Sequence, residues 1–188
     1  MKLITLLLMG TLFTGCALHQ SRDAAFYTLP TTTDAITPIS NARMVIDVER
    51  VKVPEYIDRT QIVTTSGVGV NVDNDNRWAE GVPAMIQRKI ITNIGAYMPH
   101  SVVKNGNFTS TSGGYSVFIE IYKMDGRLSD TATLDAIYSV AASGGTTKTR
   151  NVHYTVPVGD NYDDYVVQIG KMVDKMSRDI AVSLEAMK

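Results

Sequence analysis

Cysteine is nearly absent: the 188 residues contain one, Cys16. A single thiol closes no intrachain disulfide, so the domain depends on packing for its stability. Histidine is almost as sparse. His19, His100 and His153 have no Cys, His or carboxylate at ligand spacing, which argues against a metal centre. Tryptophan occurs once, at Trp78. An excess of positive charge is also missing, with 18 Lys and Arg against 19 Asp and Glu, and that excludes a strongly basic nucleic-acid binder.

Catalytic patterns are missing as well. No serine lies in a Gly-x-Ser-x-Gly elbow, and Gly67-Val68-Gly69 lacks the third glycine and following helix of a dinucleotide fingerprint. Asp73-Asn74-Asp75-Asn76 opens like a calcium loop but has no Gly at the sixth position and no Glu at the twelfth, so it reads as a polar break. Asp163 and Asp164 are neighbours at a helix start, where they favour the dipole and point in different directions. The sequence therefore points away from an enzyme, and no cofactor is expected.

What is present begins at the N-terminus. Lys2 is followed by the apolar run Leu3 to Phe13, and Leu12-Phe13-Thr14-Gly15-Cys16 closes it. That pattern reads as a lipobox: a positive start, a short apolar segment, a small residue at the cleavage position and then cysteine. The run is too short for a transmembrane helix, which needs about 20 residues. The alternative is an ordinary signal peptide with an incidental cysteine. On the lipobox reading residues 1–15 are removed, and Cys16 carries a diacylglycerol and an N-acyl chain. Ala17 stands where an Asp would signal inner-membrane retention in enteric lipoproteins, which implies the outer membrane. The leader holds one Lys and no acid, so its loss takes the net charge from −1 to −2.

Residues 16–41 are rich in Ser, Thr, Asp and Pro and read as a tether, interrupted by Phe26-Tyr27-Thr28-Leu29, a short strand able to pair with a sheet edge. Residues 42–188 are expected to form one domain. Met44 to Val53 alternates with a change of parity near Arg50 that predicts a bulge. Two runs, 61–65 and 68–72, flank Ser66-Gly67 as a hairpin. Val82, Ile86, Ile90, Ile94 and Met98 recur every four residues after Pro83, with Gln87, Arg88 and Lys89 opposite, and predict an amphipathic helix that Pro99 stops. Asn105 to Gly114 reads as a solvated loop. Tyr115 to Lys123 is apolar on both faces and is expected to be the central strand. It opens a meander that turns at Asp125-Gly126, runs through 131–142, and turns again at Gly144-Gly145 into 147–156, both of those glycines being expected at positive φ. Asp160 or Asn161 caps a last helix whose seam, Val166 to Met187, is core or the contact for a partner helix. The fold class is α+β: a mostly antiparallel sheet, built of an N-terminal strand and hairpin plus a three-stranded meander, with two helices on one face.

Two aromatics stand out as partner contacts. Trp78, between a polar break and a helix, is either a lid on the core or an anchor for a partner, and Tyr56 follows Pro54 in a loop.

Val53-Pro54-Glu55-Tyr56-Ile57-Asp58-Arg59-Thr60-Gln61-Ile62-Val63, followed by Arg77-Trp78-Ala79-Glu80, resembles the pattern of the PqiC (YmbA) lipoproteins, the auxiliary lipoprotein component of ABC-type transport systems. Phe26-Tyr27-Thr28-Leu29 and Tyr162-Asp163-Asp164-Tyr165 resemble the start of these domains and of their last helix. Ile57 and Val82 stand where Leu is usual, and Met124 where Phe is common. The resemblance implies a periplasm-facing lipoprotein, held to the outer membrane by its lipid, that partners a PqiB-like MCE protein in moving phospholipid between membranes. It implies a docking part, with a ring of identical domains as the expected assembly. A tethered carrier that binds lipid or another ligand in its own cavity is the alternative.

Replacing Cys16 by Ser is expected to give an unprocessed or mislocalised protein, read by membrane fractionation and by the mass of the mature N-terminus. A normally processed variant that still fractionates with outer membranes would remove the lipobox reading.

Overall fold

The computed structural model describes residues 23–30, 36–106 and 114–188. Cys16, the leader and residues 107–113 of the expected polar loop lie outside the described residues. In chain order the elements are β1 (Ala25–Tyr27), β2 (Val45–Val48), β3 (Gln61–Ser66), β4 (Gly69–Trp78), α1 (Val82–Tyr97), β5 (Val102–Asn105), β6 (Tyr115–Gly126), β7 (Thr131–Ala142), β8 (Thr147–Pro157) and α2 (Tyr162–Glu185). The strands form two sheets, one of order β1-β4-β3 and one of order β5-β2-β6-β7-β8.

The larger sheet is organised by the alternation of its middle strand. Val117, Ile119 and Ile121 of β6 are buried on one face, opposite Val140, Tyr138 and Ala136 of β7. Both helices cover that face, as the 3.6-residue and 2-residue periods require when two apolar surfaces meet. α2 lays Ile169, Val173, Met176, Ile180 and Leu184 against it, so the seam is core and not a contact left for another chain's helix. Two hydroxyls converge on Asp179 of the helix: Tyr138 donates to its carbonyl at 3.1 Å and Tyr154 to its carboxylate at 2.6 Å. Asn161 caps α2, accepting from the Asp164 N–H at 2.9 Å, and Asp163 and Asp164 occupy its first turn.

α1 begins after Gly81 with Pro83 in its first turn and buries Val82, Ile86, Ile90 and Ile94 as the spacing predicts. Its other side departs from expectation. Gln87 and Lys89 are also buried, because α1 is covered by β2 and β5 on one flank and by α2 on the other. Each has partners that make this tolerable: Gln87 Nε2 donates to the Val48 carbonyl at 2.8 Å, and Lys89 Nζ lies 2.7 Å from Asp174 Oδ1 and 2.6 Å from the Pro30 carbonyl.

Antiparallel pairing predominates, but the N-terminal strand joins the sheet differently from the simple picture. β2 lies between β5 and β6 and is parallel to both, with β3, β4 and α1 supplying the long crossover that a parallel neighbour needs. β5 was not expected. Its four residues are too few to show a period, and it takes Asn105 out of the loop. The parity change near Arg50 is real: β2 ends at Val48, and Lys52 rejoins β6 opposite Glu120 after three residues that face only two on β6, with Val51 buried.

The break at Asp73–Asn76 lies inside β4 as a bulge. Pairing jumps from Val63–Val72 to Gln61–Arg77, and the Asp73 carboxylate accepts from the N–H groups of Asp75 and Asn76 at 2.8 and 2.7 Å. Residues 39–41, read from the sequence as tether, lie against the domain, and the short strand expected at 26–29 forms at the edge of the smaller sheet. β1 pairs in parallel with β4, Leu29 is buried, and the Ile39 N–H donates to the Tyr97 carbonyl at 2.8 Å.

The turns carry two corrections. At the β7–β8 turn only Gly144 has positive φ, at +71°, because the loop holds four residues with Gly144 third in the turn that the Gly145 N–H closes on the Ala142 carbonyl. At the β6–β7 turn the left-handed residue is Ser129, at φ +59°. Gly126 serves close approach: a Cβ there would lie 2.4 Å from Ala132 Cα and 2.5 Å from the Thr131 carbonyl oxygen, both backbone atoms. Gly126→Ala is therefore expected to cost about 1–3 kcal/mol by overpacking, measured by urea unfolding. An unchanged midpoint would show that the two strands part there without strain.

Candidate docking surface

Tyr56 and Trp78, the two aromatics expected to meet a partner, are turned inward. Trp78 ends β4 with only 4% of its surface exposed, beside Ile57, Met124 and Ile169, so it is a lid on the core. The physical reason is the bulge at Asp73–Asn76, which lets β4 continue to residue 78 and carry the ring beneath the three-stranded sheet. Tyr56 is partly buried against the same core, and its hydroxyl donates to Asp125 Oδ2 at 2.5 Å. Pro54 sets this up: its carbonyl accepts from the N–H groups of Ile57 and Asp58, forming a tight turn that aims the ring at the end of β6.

The hydroxyl bond matters because Asp125 is buried. Its Oδ1 has no hydrogen bond among the described residues, and the Lys123 ammonium stands 3.8 Å away. Burial, with the Asp125 carboxylate next, pushes the Tyr56 hydroxyl well above its ordinary range. Tyr162 behaves likewise, raised by burial and then by Asp73 from 10.0 to about 12. Tyr165, whose hydroxyl donates to the Val63 carbonyl at 3.0 Å, is raised mainly by burial.

What is left exposed lies elsewhere. The face of β6 and β7 turned away from the helices has no layer over it among the described residues. Phe118 and Tyr122 are 48% and 51% exposed there. Phe118 is paired with Ser139, and Glu120 with Ile137. Phe118 and Ile137, with Arg50 and Lys52 from the segment after β2, line a shallow groove of about 130 Å³. Farther along the same face His153 Nδ1 and Asp135 Oδ1 are 2.5 Å apart. Sequence reasoning read β6 as apolar on both faces and central, which it is, and put both helices on one side of the sheet, but it did not pick out Phe118 and Tyr122 as exposed. The strand's own composition is the same whether a second layer covers it or not, and only the count of helices carries that signal.

Among the described residues no three His, Cys, Asp or Glu side chains converge as a metal site. The larger surface depressions are open and polar-edged. One of about 220 Å³ lies beside Pro30 and Lys89, and another of about 290 Å³ between Tyr138, Arg150 and Asp179. No helix among the described residues is long and apolar enough to cross a membrane.

Residues 27–181 match the family model described as the ABC-type transport auxiliary lipoprotein component. The chain belongs to this family. It is the PqiC/YmbA-type auxiliary lipoprotein family, a transport component and not an enzyme class. No curated protein matches the chain. Two solved structures share its fold. A crystal structure of an uncharacterized protein has a TM-score of 0.74 at 21% identity, over 87% of this chain and 99% of that one. A Xanthomonas campestris protein of the DUF330 family has a TM-score of 0.69 at 11% identity, over 88% of this chain and 100% of that one. The family match runs through β1, where Tyr27 donates to Asn76 at 3.1 Å, to Ala181 in α2. It therefore spans both sheets and both helices.

Trp78→Ala is expected to cost about 3–5 kcal/mol, and Tyr56→Phe about 1–3 kcal/mol through the carboxylate it leaves without a donor. Each raised tyrosine gives stability that is full below its unfolded value near 10 and lost as pH rises through the folded value. Urea midpoints of the unaltered protein should therefore fall above about pH 10, and Tyr56→Phe should remove Tyr56's share of that loss. A parallel alkaline decline in both proteins would show that the Tyr56 hydroxyl is not held as described.

Proposed function

We propose that this protein is an outer-membrane-anchored, periplasm-facing docking subunit of an MCE/Pqi-type phospholipid transport system, acylated on Cys16 and joined to a PqiB-like MCE protein. Membership of the transport auxiliary lipoprotein family carries the reading. The surface chemistry supports a docking part over a carrier. A bound phospholipid would need an enclosed apolar cavity several hundred Å³ in size, whereas the space between sheet and helices is filled by Ile119, Ile121, Leu134, Ile169 and their neighbours.

The partner surface on this reading is the open face of β6 and β7. Binding energy in protein interfaces concentrates in a few aromatic and arginine side chains at a centre that loses water. Phe118 and Tyr122 are the exposed aromatics of the larger sheet, with Arg50 and Lys52 beside the groove. They replace Tyr56 and Trp78, whose rings are committed to the core.

The double variant Phe118→Ala, Tyr122→Ala is expected to fold and be lipidated normally but to lose its periplasmic partner. About 2 kcal/mol at each hot spot is roughly a thousandfold in affinity for the pair. Co-purification of the native lipoprotein from membranes, with partners identified by mass, reads the outcome. A folded double variant that retains the MCE partner removes this face from the interface.

A further inference from the structure

The segment from Gln61 to Val72 contains no charged residue, in a chain of which 20% is charged. It forms β3, the turn and the first part of β4, and its two strands are in register from Val63–Val72 to Ser66–Gly69. Alternation puts Val70 and Val72 on one face of the hairpin, and Val68 follows Gly67 in the turn at its tip. The stripe starts in the core, where Val72 lies across from buried Val63, and becomes steadily more exposed outward: 38% at Val72, 49% at Val70 and complete at Val68. Gly67, at φ +62°, makes the turn, and a Cβ there would meet nothing within 4 Å. An uncharged, one-sided apolar hairpin that ends in open space is unusual on a surface washed by water.

The direction of this hairpin can be read from its contacts. The Val63 carbonyl accepts from Tyr165, in the first turn of α2, and Asp73 is held by Tyr162, the first residue of that helix. The base of the hairpin is therefore held at the N-terminal end of α2, and the tip lies beyond these contacts. At the other end of the helix Lys148, beside the β7–β8 turn, donates to the Ala186 carbonyl at 2.5 Å. The 24 residues of α2 separate these ends by about 36 Å.

The N-terminal chain leaves on the hairpin's side. β1 is parallel to β4, with Ala25 opposite Asn76 and Tyr27 opposite Trp78. Because β4 starts at the tip and runs inward, so does β1, and the chain ahead of Asp23 comes from the tip side. Seven peptide steps separate Cys16 from Asp23, and an extended chain covers at most about 25 Å over that length. That is too short to carry the anchor to the far end of α2. Exposed Phe26, at 65%, lies on the same stretch of β1.

We infer that the β3–β4 hairpin is a second membrane contact, with Val68 and Val70 seated in the phospholipid surface that holds the acylated Cys16. The inference rests on the acylation of Cys16 proposed above. The occupant is lipid and not an anionic partner, since the tip offers no cation to recognise a headgroup and the tether brings it to the bilayer. The contact should therefore be insensitive to salt, unlike one made by basic residues. The domain then stands on the membrane with its β7–β8 turn pointing away.

The test uses the full lipoprotein in vesicles of phosphatidylethanolamine and phosphatidylglycerol. With Cys16 acylated, Val68→Cys supplies one free thiol for an environment-sensitive fluorophore, and Ser143→Cys at the β7–β8 turn supplies the control. Flotation with the vesicles reads the anchor separately from the label. The expected result is a blue-shifted Val68 label, quenched at least twofold more by acyl-chain spin labels than the Ser143 label and unchanged by added salt. Equal quenching at the two positions in a floating protein overturns the hairpin contact while leaving the anchor intact. A blue shift without lipid quenching overturns it in favour of a protein cover, such as a second copy. A chain that does not float overturns the anchor and this orientation together.

Discussion

Everything in this domain depends on burying one face of β6. It is the middle strand of five, parallel to β2 on one side and antiparallel to β7 on the other, so both of its backbone edges are satisfied within the sheet. Its side chains then decide the architecture. Val117, Ile119 and Ile121 need an apolar layer above them, and α2 supplies one with a seam that matches their spacing. α1 fills the remaining width over β2 and β5, and the contact between the helices is closed by polar groups that cannot be left dry. Lys89 and Asn93 of α1 both reach Asp174 of α2 at 2.7 Å, so the inter-helix seam is hydrogen-bonded where it is least apolar.

The smaller sheet follows from the same demand. The inner ends of β3 and β4 close the core where α2 begins: Ile62, Val63 and Trp78 are buried, and Tyr165 reaches across to the Val63 carbonyl. Asp73 makes this possible. By accepting from two backbone N–H groups it stabilises three extra residues in β4, which re-aims the strand so that Trp78 lands inside. Hydrogen bonds from Asn76, Tyr162 and Asp75 outweigh the desolvation of Asp73 and hold its carboxyl below the usual range, so the bulge keeps its negative charge at neutral pH.

Much of this was legible in the chain. Both helices, the meander and the bulge near Arg50 followed from periodicity and parity, because those signals are local and the residues that carry them, such as Ile86 and Ile90 or Ile119 and Ile121, repeat several times. What was not legible depended on distant partners. β5 is four residues whose pairing with β2 gives them their shape. Gln87 and Lys89 look solvent-facing on a helical wheel, and only the position of α2 shows that they are covered. Trp78 was legible as either a core lid or a partner anchor, and it is the lid, whereas Tyr56 was legible only as an exposed candidate, since the Asp125 that orients it lies far away in sequence. Phe118 and Tyr122 helped mark β6 as central, as it is, but not as an exposed pair, because a strand apolar on both faces has the same composition whether or not a second layer covers it.

These same facts give the domain two unlike surfaces. A lipid tether alone fixes distance and leaves orientation free, because an unstructured linker transmits no torque. The parallel pairing of β1 with β4 changes that, since it ties the exit of the chain to the hairpin and makes the N-terminal end of α2 the end nearest any anchor on Cys16. An uncharged hairpin suits that end if, as proposed, it faces lipid. The open face of β6 and β7 runs along the length of the domain, with Phe118 toward the far end and Tyr122 toward the near one, as their distance from Tyr115, bonded to the Met187 carbonyl, requires. On the proposed reading, a partner that approaches from the periplasm would meet the aromatic face side-on while the hairpin end is occupied. The two proposed contacts use different residues, so neither would exclude the other.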